Sequence, residues 1–249
     1  MSGHSKWSTI KHKKAVIDAK RGKIFTKLVK EITVAAREGG GNPDMNPRLR
    51  LAMDTAKGQN MPADNVERAI KKGTGELPGQ EYSEITYEGY GPHSVAILVE
   101  TLTDNKNRTA PELRTIFSKK NGLMGAAGCV AWMFERKGIL RLDASVMEED
   151  ALMDLVLDAG AEDFQSEDGF YEITTEVADF INVKNALNDK DIACEIAELA
   201  MIPKDTLKLE DPNHLKNILA LIEAIEENDD VQNVYSNFDA DPNMLEQLE

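Results

Sequence analysis

Twelve side chains in the first thirty residues could do chemistry together: His4, Lys6, Trp7, Lys11, His12, Lys13, Lys14, Lys20, Arg21, Lys23, Lys27 and Lys30. Cations this dense suit the phosphates of a polynucleotide, with a base or sugar stacked on the indole. A solvated helix face would also carry lysines, but it needs no sign bias. This stretch holds eight lysines and one arginine against the single acid Asp18. Trp7 has two readings, a stacking platform or a staple that packs the arm onto the helices behind it. His4 and His12 are phosphate contacts or exposed spectators. Arg48 and Arg50 flank Leu49 near a helix start, where they extend the patch or pair with acids.

Other chemistries find little support. The four histidines, His4, His12, His93 and His214, are scattered without HxxxH or HExxH spacing. Cys129 and Cys194 lack CxxC spacing and read as buried small apolar residues, so neither a disulfide framework nor a zinc ribbon is expected. Lys20-Arg21-Gly22-Lys23 resembles the end of a phosphate loop, yet Ile24 stands where Ser or Thr would meet magnesium. Gly89-Tyr90-Gly91-Pro92 lacks the third glycine of a dinucleotide turn. The loop with Gly122, Gly125 and Gly128 could cradle an anion, but a flexible connection into a strand is the better reading. Glu148, Glu149 and Asp150 complement a helix dipole, and Glu223, Glu226 and Glu227 line an exposed helix face. No catalytic residues, cofactor or metal are therefore expected, and the chain reads as a non-enzyme.

The charge distribution separates the chain into two parts. Across 249 residues the net charge is −15, with 41% hydrophobic and 29% charged residues, which excludes wholesale disorder and low-complexity folds. Residues 1–79 hold 16 Lys and Arg against 8 Asp and Glu, a net of +8, and residues 80–249 carry −23. A basic segment on an acidic body steers a polyanion to one end. The acidic part could receive a protein partner. No apolar run is long enough for a membrane span or a signal peptide, so no membrane association and a reducing, soluble compartment are expected.

The elements that must position these residues follow from hydrophobic period. Between Lys23 and Arg37 apolar residues at Ile24, Phe25, Leu28, Val29, Ile32, Ala35 and Ala36 form one helical stripe, with Lys23, Lys27, Lys30 and Arg37 opposite. Gly39-Gly40-Gly41 ends it; Asn46-Pro47 and Met61-Pro62 start two more helices. From Tyr82 the period changes to two. Residues 82–90 and 94–102 read as strands, 109–120 as a helix, and 129–134, apolar on both faces, as a central strand. Residues 139–200 read as βαββαβ with a turn at Asp168-Gly169, and Pro203 closes the unit. Asp211-Pro212 caps a further helix, followed by a strand over 231–238. The expected fold class is α+β: an N-terminal helical domain (1–79) plus two α/β domains of ferredoxin-like type. One of these (80–136 and 203–249) is interrupted by the other (137–202).

Several strings together resemble the YebC/PmpR family: Gly3-His4-Ser5-Lys6-Trp7, Ile10-Lys11-His12-Lys13-Lys14, Asp18 through Lys27, Asn46-Pro47-Arg48-Leu49-Arg50, Asn60-Met61-Pro62, Tyr87 through Pro92 and Asp104 through Thr109. Ser8-Thr9 replaces a usual Ala-Asn, and the loop at 121–129 is shorter, with Cys129 where the family usually has Ser. The resemblance implies three domains, two of them nested, and a cytoplasmic DNA-binding regulator of transcription. The alternative it implies is a ribosome-associated translation factor that binds ribosomal RNA, since a mitochondrial relative activates translation. Both roles are non-enzymatic and use the basic segment.

Overall fold

The computed structural model describes residues 18–167, 169–241 and 244. They form an α+β fold in two compact units: the described residues up to Met133 together with those from Asp205 onward, and Phe134–Lys204. No helix among the described residues is long and apolar enough to cross a membrane.

The first unit begins with three helices, α1 (Asp18–Gly39), α2 (Pro47–Gly58) and α3 (Ala63–Gly73). The stripe read from the sequence is the buried one: Ile32, Ala35 and Ala36 of α1 meet Leu49, Ala52 and Ala56 of α2 and Ala69 of α3. Alanines at the crossing allow close approach, and a side chain at Gly73 would collide with the carbonyl oxygen of Thr33. Gly40 ends α1 with a φ of +84°, the left-handed conformation that glycine adopts without strain. The Asn46 side chain then does two jobs. Its oxygen accepts the Leu49 N–H at 3.0 Å as the α2 N-cap, and its amide donates to the carbonyls of Ala35 (2.7 Å) and Gly40 (2.8 Å), pinning the connection.

The chain continues through β1 (Ser83–Tyr90), β2 (Ala96–Thr103), α4 (Lys106–Lys119) and the two-residue strand β3 (Leu123–Met124). Helix α4 starts three residues before the expected Thr109, because the Asn105 side chain caps it by accepting the Arg108 N–H at 3.2 Å. The expected central strand over 129–134 is absent. Residues Ala131–Met133 form a single 3-10 turn, and the strand proper starts at Phe134. The reason is local: the Val130 and Ala131 N–H groups are donated to the Glu88 carboxylate, both at 2.7 Å, and not to a neighbouring strand. Apolar character marks burial at Val130 but not at Trp132, which is exposed.

The second unit follows as β4 (Phe134–Asp143), α5 (Glu149–Asp158), β5 (Ala161–Glu167), β6 (Phe170–Thr175), α6 (Phe180–Asn188) and β7 (Ile196–Pro203). Its antiparallel sheet has the order β5-β6-β4-β7, the expected ferredoxin-like plan. Leu140, Leu142 and Ile173 from the sheet and Leu152, Val156, Phe180, Val183 and Leu187 from the helices are all buried. The Asp179 and Phe180 N–H groups bond the Glu176 carbonyl in a turn that leads into α6, and the Ile192 N–H bonds the Leu187 carbonyl and closes its end, so β7 begins only at Ile196. Gly169 carries a positive φ at the β5–β6 turn; Asp168, expected beside it, lies outside the described residues. Cys194 here, like Cys129 in the first unit, is half-buried rather than buried as expected.

Back in the first unit, β8 (Leu207–Leu209) precedes α7 (Pro212–Glu226), β9 (Val231–Ser236) and β10 (Phe238–Ala240). The single strand expected over 231–238 breaks at Asn237. Its side chain accepts the Ala96 N–H at 2.8 Å, and its carbonyl accepts the Leu207 N–H at 2.7 Å. Strand β9 therefore pairs with β2 while β10 runs parallel to β8. The larger sheet has the order β3-β1-β2-β9. Helix α7, capped by Asp211, buries Leu215, Ile218, Leu219, Leu221, Ile222 and Ile225 with Val95, Ile97, Val99 and Phe117. Each fully buried aliphatic side chain on this face contributes about 1.5–3 kcal/mol relative to an exposed one.

Candidate nucleic-acid interface

Lys23, Lys27 and Lys30 recur at helical spacing on α1 and share one face, as expected. That face does not look outward. Lys23 Nζ donates to the Glu227 carbonyl at 3.0 Å and Lys27 Nζ to the Glu226 carbonyl at 3.1 Å. The last carbonyls of a helix lack intrahelical partners and carry the negative end of its dipole, so two ammonium groups here cap α7. Lys30 goes deeper: 7% exposed, it donates to the Asp230 carboxylate (2.8 Å), the Asp229 carbonyl (2.8 Å) and the Leu102 carbonyl (3.2 Å).

Asp230 is the node of this contact. It is 2% exposed, yet its carboxylate takes Lys30 on one oxygen and Arg108 (2.6 Å), Thr109 (2.7 Å) and Thr103 (3.1 Å) on the other. Burial alone would raise its pKa, but the hydrogen bonds from Arg108, Lys30 and Thr109 prevail and hold it at about 2. The carboxylate joins α1, β2 and α4 to the end of α7. Sequence reading missed it, because residue 230 becomes meaningful only beside Lys30 and Arg108.

The two α2 arginines are similarly committed. Arg48 binds Glu31 through Nε (2.7 Å) and Nη2 (3.1 Å), with Glu38 and Glu84 on Nη1. Arg50 donates to the carbonyls of Pro43 (3.0 Å) and Asp44 (2.8 Å). Of the two readings offered by the sequence, Arg48 follows the pairing one; Arg50 holds backbone. Arg21 is exposed at the start of α1. Lys20 belongs to α1, with its side chain outside the described part; His4, Lys6, Trp7, Lys11, His12, Lys13 and Lys14 lie outside the described residues altogether.

The glycine-rich loop after α4 does cradle an anion, an internal one. Glu88 accepts the N–H groups of Gly128 (2.6 Å), Val130 and Ala131 on a buried carboxylate. Burial pushes its pKa up, but these three donors outweigh that and lower it. Two histidines distant in sequence are also brought together: His93 and His214 stack with ring centroids 3.4 Å apart, and His214 Nε2 lies 3.7 Å from Asp211 Oδ2. Among the described residues no group of three His, Cys, Asp or Glu is placed to hold a metal ion.

Two family descriptions match the sequence: "TACO1/YebC protein N-terminal domain" over residues 5–76 and "TACO1/YebC second and third domain" over residues 82–238. A protein of Syntrophobacter fumaroxidans named "probable transcriptional regulatory protein" is 53% identical over 248 residues, with 100% of both chains covered. A protein of the same description from Geobacter sulfurreducens is 56% identical, again over 100% of both. The crystal structure of a conserved hypothetical protein from Aquifex aeolicus superposes with a TM-score of 0.83 at 44% identity, covering 91% of this chain and 93% of that one.

Proposed function

The chain belongs to the TACO1/YebC family, and from that premise we propose that it is a non-enzymatic, cytoplasmic, DNA-binding regulator of transcription that holds its target through the basic N-terminal segment. The names of its relatives support a regulatory role. The observation that carries the nucleic-acid part is the charge split, +8 over residues 1–79 against −23 over the remainder. Lys23, Lys27, Lys30, Arg48 and Arg50 are engaged within the fold, so the binding role falls to His4, Lys6, Trp7, Lys11, His12, Lys13, Lys14, Lys20 and Arg21. Phosphate contacts of this kind position a protein on a polynucleotide; specificity requires base or shape readout in addition.

In-cell crosslinking followed by sequencing of attached DNA and RNA tests the reading. The expected result is enrichment of discrete DNA segments, lost when Lys11, Lys13 and Lys14 are changed to alanine. Crosslinks confined to ribosomal RNA would overturn the DNA assignment and favour a role at the ribosome.

A further inference from the structure

The connection from α4 to β4 displays two large apolar side chains, Leu123 at 71% and Trp132 at 67% exposure. A lone exposed Leu needs no explanation, but an exposed Trp on a braced loop does. Three donors fix Gly128, Val130 and Ala131 on Glu88, the Gly125 N–H bonds the Glu88 carbonyl at 2.8 Å, and the Tyr90 hydroxyl bonds the Cys129 carbonyl at 3.2 Å. That same carbonyl accepts the Trp132 indole N–H at 3.2 Å. The indole therefore has its single donor engaged and offers only its aromatic surface, an element for stacking and not for polar readout.

The local sequence says what would stack. From Lys119 to Phe134 the sequence contains no Asp or Glu, in a chain that has 44 of them. Lys119 and Lys120, both exposed, enter this run. A rigid aromatic platform in an acid-free stretch with two leading cations matches an unstacked base with its flanking phosphates.

We propose that Trp132 is a second nucleic-acid contact, a stacking platform for a base outside a duplex, with Lys119 and Lys120 meeting adjacent phosphates. This rests on the DNA-binding reading above and adds to it a preference for duplex that continues into single strand.

The test compares a blunt DNA duplex with the same duplex extended by an oligothymidine tail, using the full chain and fluorescence anisotropy. The tail is expected to tighten binding by about 5- to 150-fold, the range that base-aromatic stacking supplies. Trp132→Ala should abolish that gain and Trp132→Phe retain most of it. In a Trp7→Phe background Trp132 is the remaining tryptophan, and its emission should be quenched by the tailed duplex and not by the blunt one. An undiminished tail gain in Trp132→Ala, or unmoved emission at saturation, would overturn the inference. So would an emission shift with protein concentration in the absence of DNA, which would mean that a second copy covers the indole. Failure of the unaltered chain to bind the blunt duplex would instead defeat the DNA-binding reading, and quenching by oligothymidine alone would still decide this one.

Discussion

Lys30 and Asp230, two hundred positions apart in sequence, form a buried ion pair with Nζ 2.8 Å from Oδ1. A lysine on the basic face of the first helix is thereby used to hold that helix onto the α/β part of its own unit. The pair separates two roles that look alike in the sequence: cations that assemble the fold and cations available to a ligand.

Removing the buried anion should be severe. Asp230→Ala leaves Lys30 without its carboxylate and takes the acceptor from Thr103 and Thr109, so a loss of about 3–5 kcal/mol is expected. Lys30→Met should cost less, because Arg108 still meets Asp230. Urea unfolding of both variants measures the order; equal costs would argue against a shared node.

Acid should release the same contact. The Asp230 carboxyl is held at about 2 in the folded protein, below the ordinary aspartate range, so its stabilisation is fully present above pH ~4 and is lost as pH falls towards 2. At ~1.4 kcal/mol for each tenfold difference in proton affinity between the unfolded and folded chain, the loss amounts to about 2 kcal/mol. Stability measured from pH 5 to 2 should fall less steeply in Asp230→Asn, which starts lower and has no such proton to take up.

Lys23→Ala with Lys27→Ala should weaken the capping of α7 by roughly 0.3–1 kcal/mol per lysine. Affinity for duplex DNA should change less than about twofold, since these ammonium groups already serve carbonyls of the fold. A large loss of DNA affinity at unchanged stability would place the interface on the Lys23 and Lys27 face of α1 after all.

Glu88→Ala strands three N–H groups in the loop that carries Trp132, at a cost of about 1–3 kcal/mol. Hydrogen exchange at Gly128, Val130 and Ala131 should accelerate while the amides of α1 to α3 stay protected. Uniform acceleration would mean that the carboxylate supports the whole unit rather than the loop.

Features that depend on near neighbours in the chain were legible. The α1 stripe, the stop at Gly40 and the caps Asn46 and Asp211 follow from period and cap chemistry within a few residues. Features that depend on distant partners were not. The positive face of α1 could be read from Lys23, Lys27 and Lys30, but its partner could not, because the end of α7 lies some two hundred positions away. The apolar run from Cys129 to Phe134 imitates a buried strand, and only Glu88, about forty positions earlier, explains why its backbone turns instead. Element ends are harder to read for a milder reason, since terminal turns are set by single hydrogen bonds such as Ile192 to Leu187 at the close of α6.

On the function proposed above, the cations at the start of the chain hold DNA, and the salt dependence of duplex binding tests this most directly. Engagement of about 4–6 phosphates gives a slope of log affinity against log salt near −4 to −5. Changing Lys11, Lys13 and Lys14 together to alanine should weaken binding to every sequence and flatten the slope by about 3, with urea stability unchanged. Affinity and slope that stay at the values of the unaltered chain would contradict the central claim.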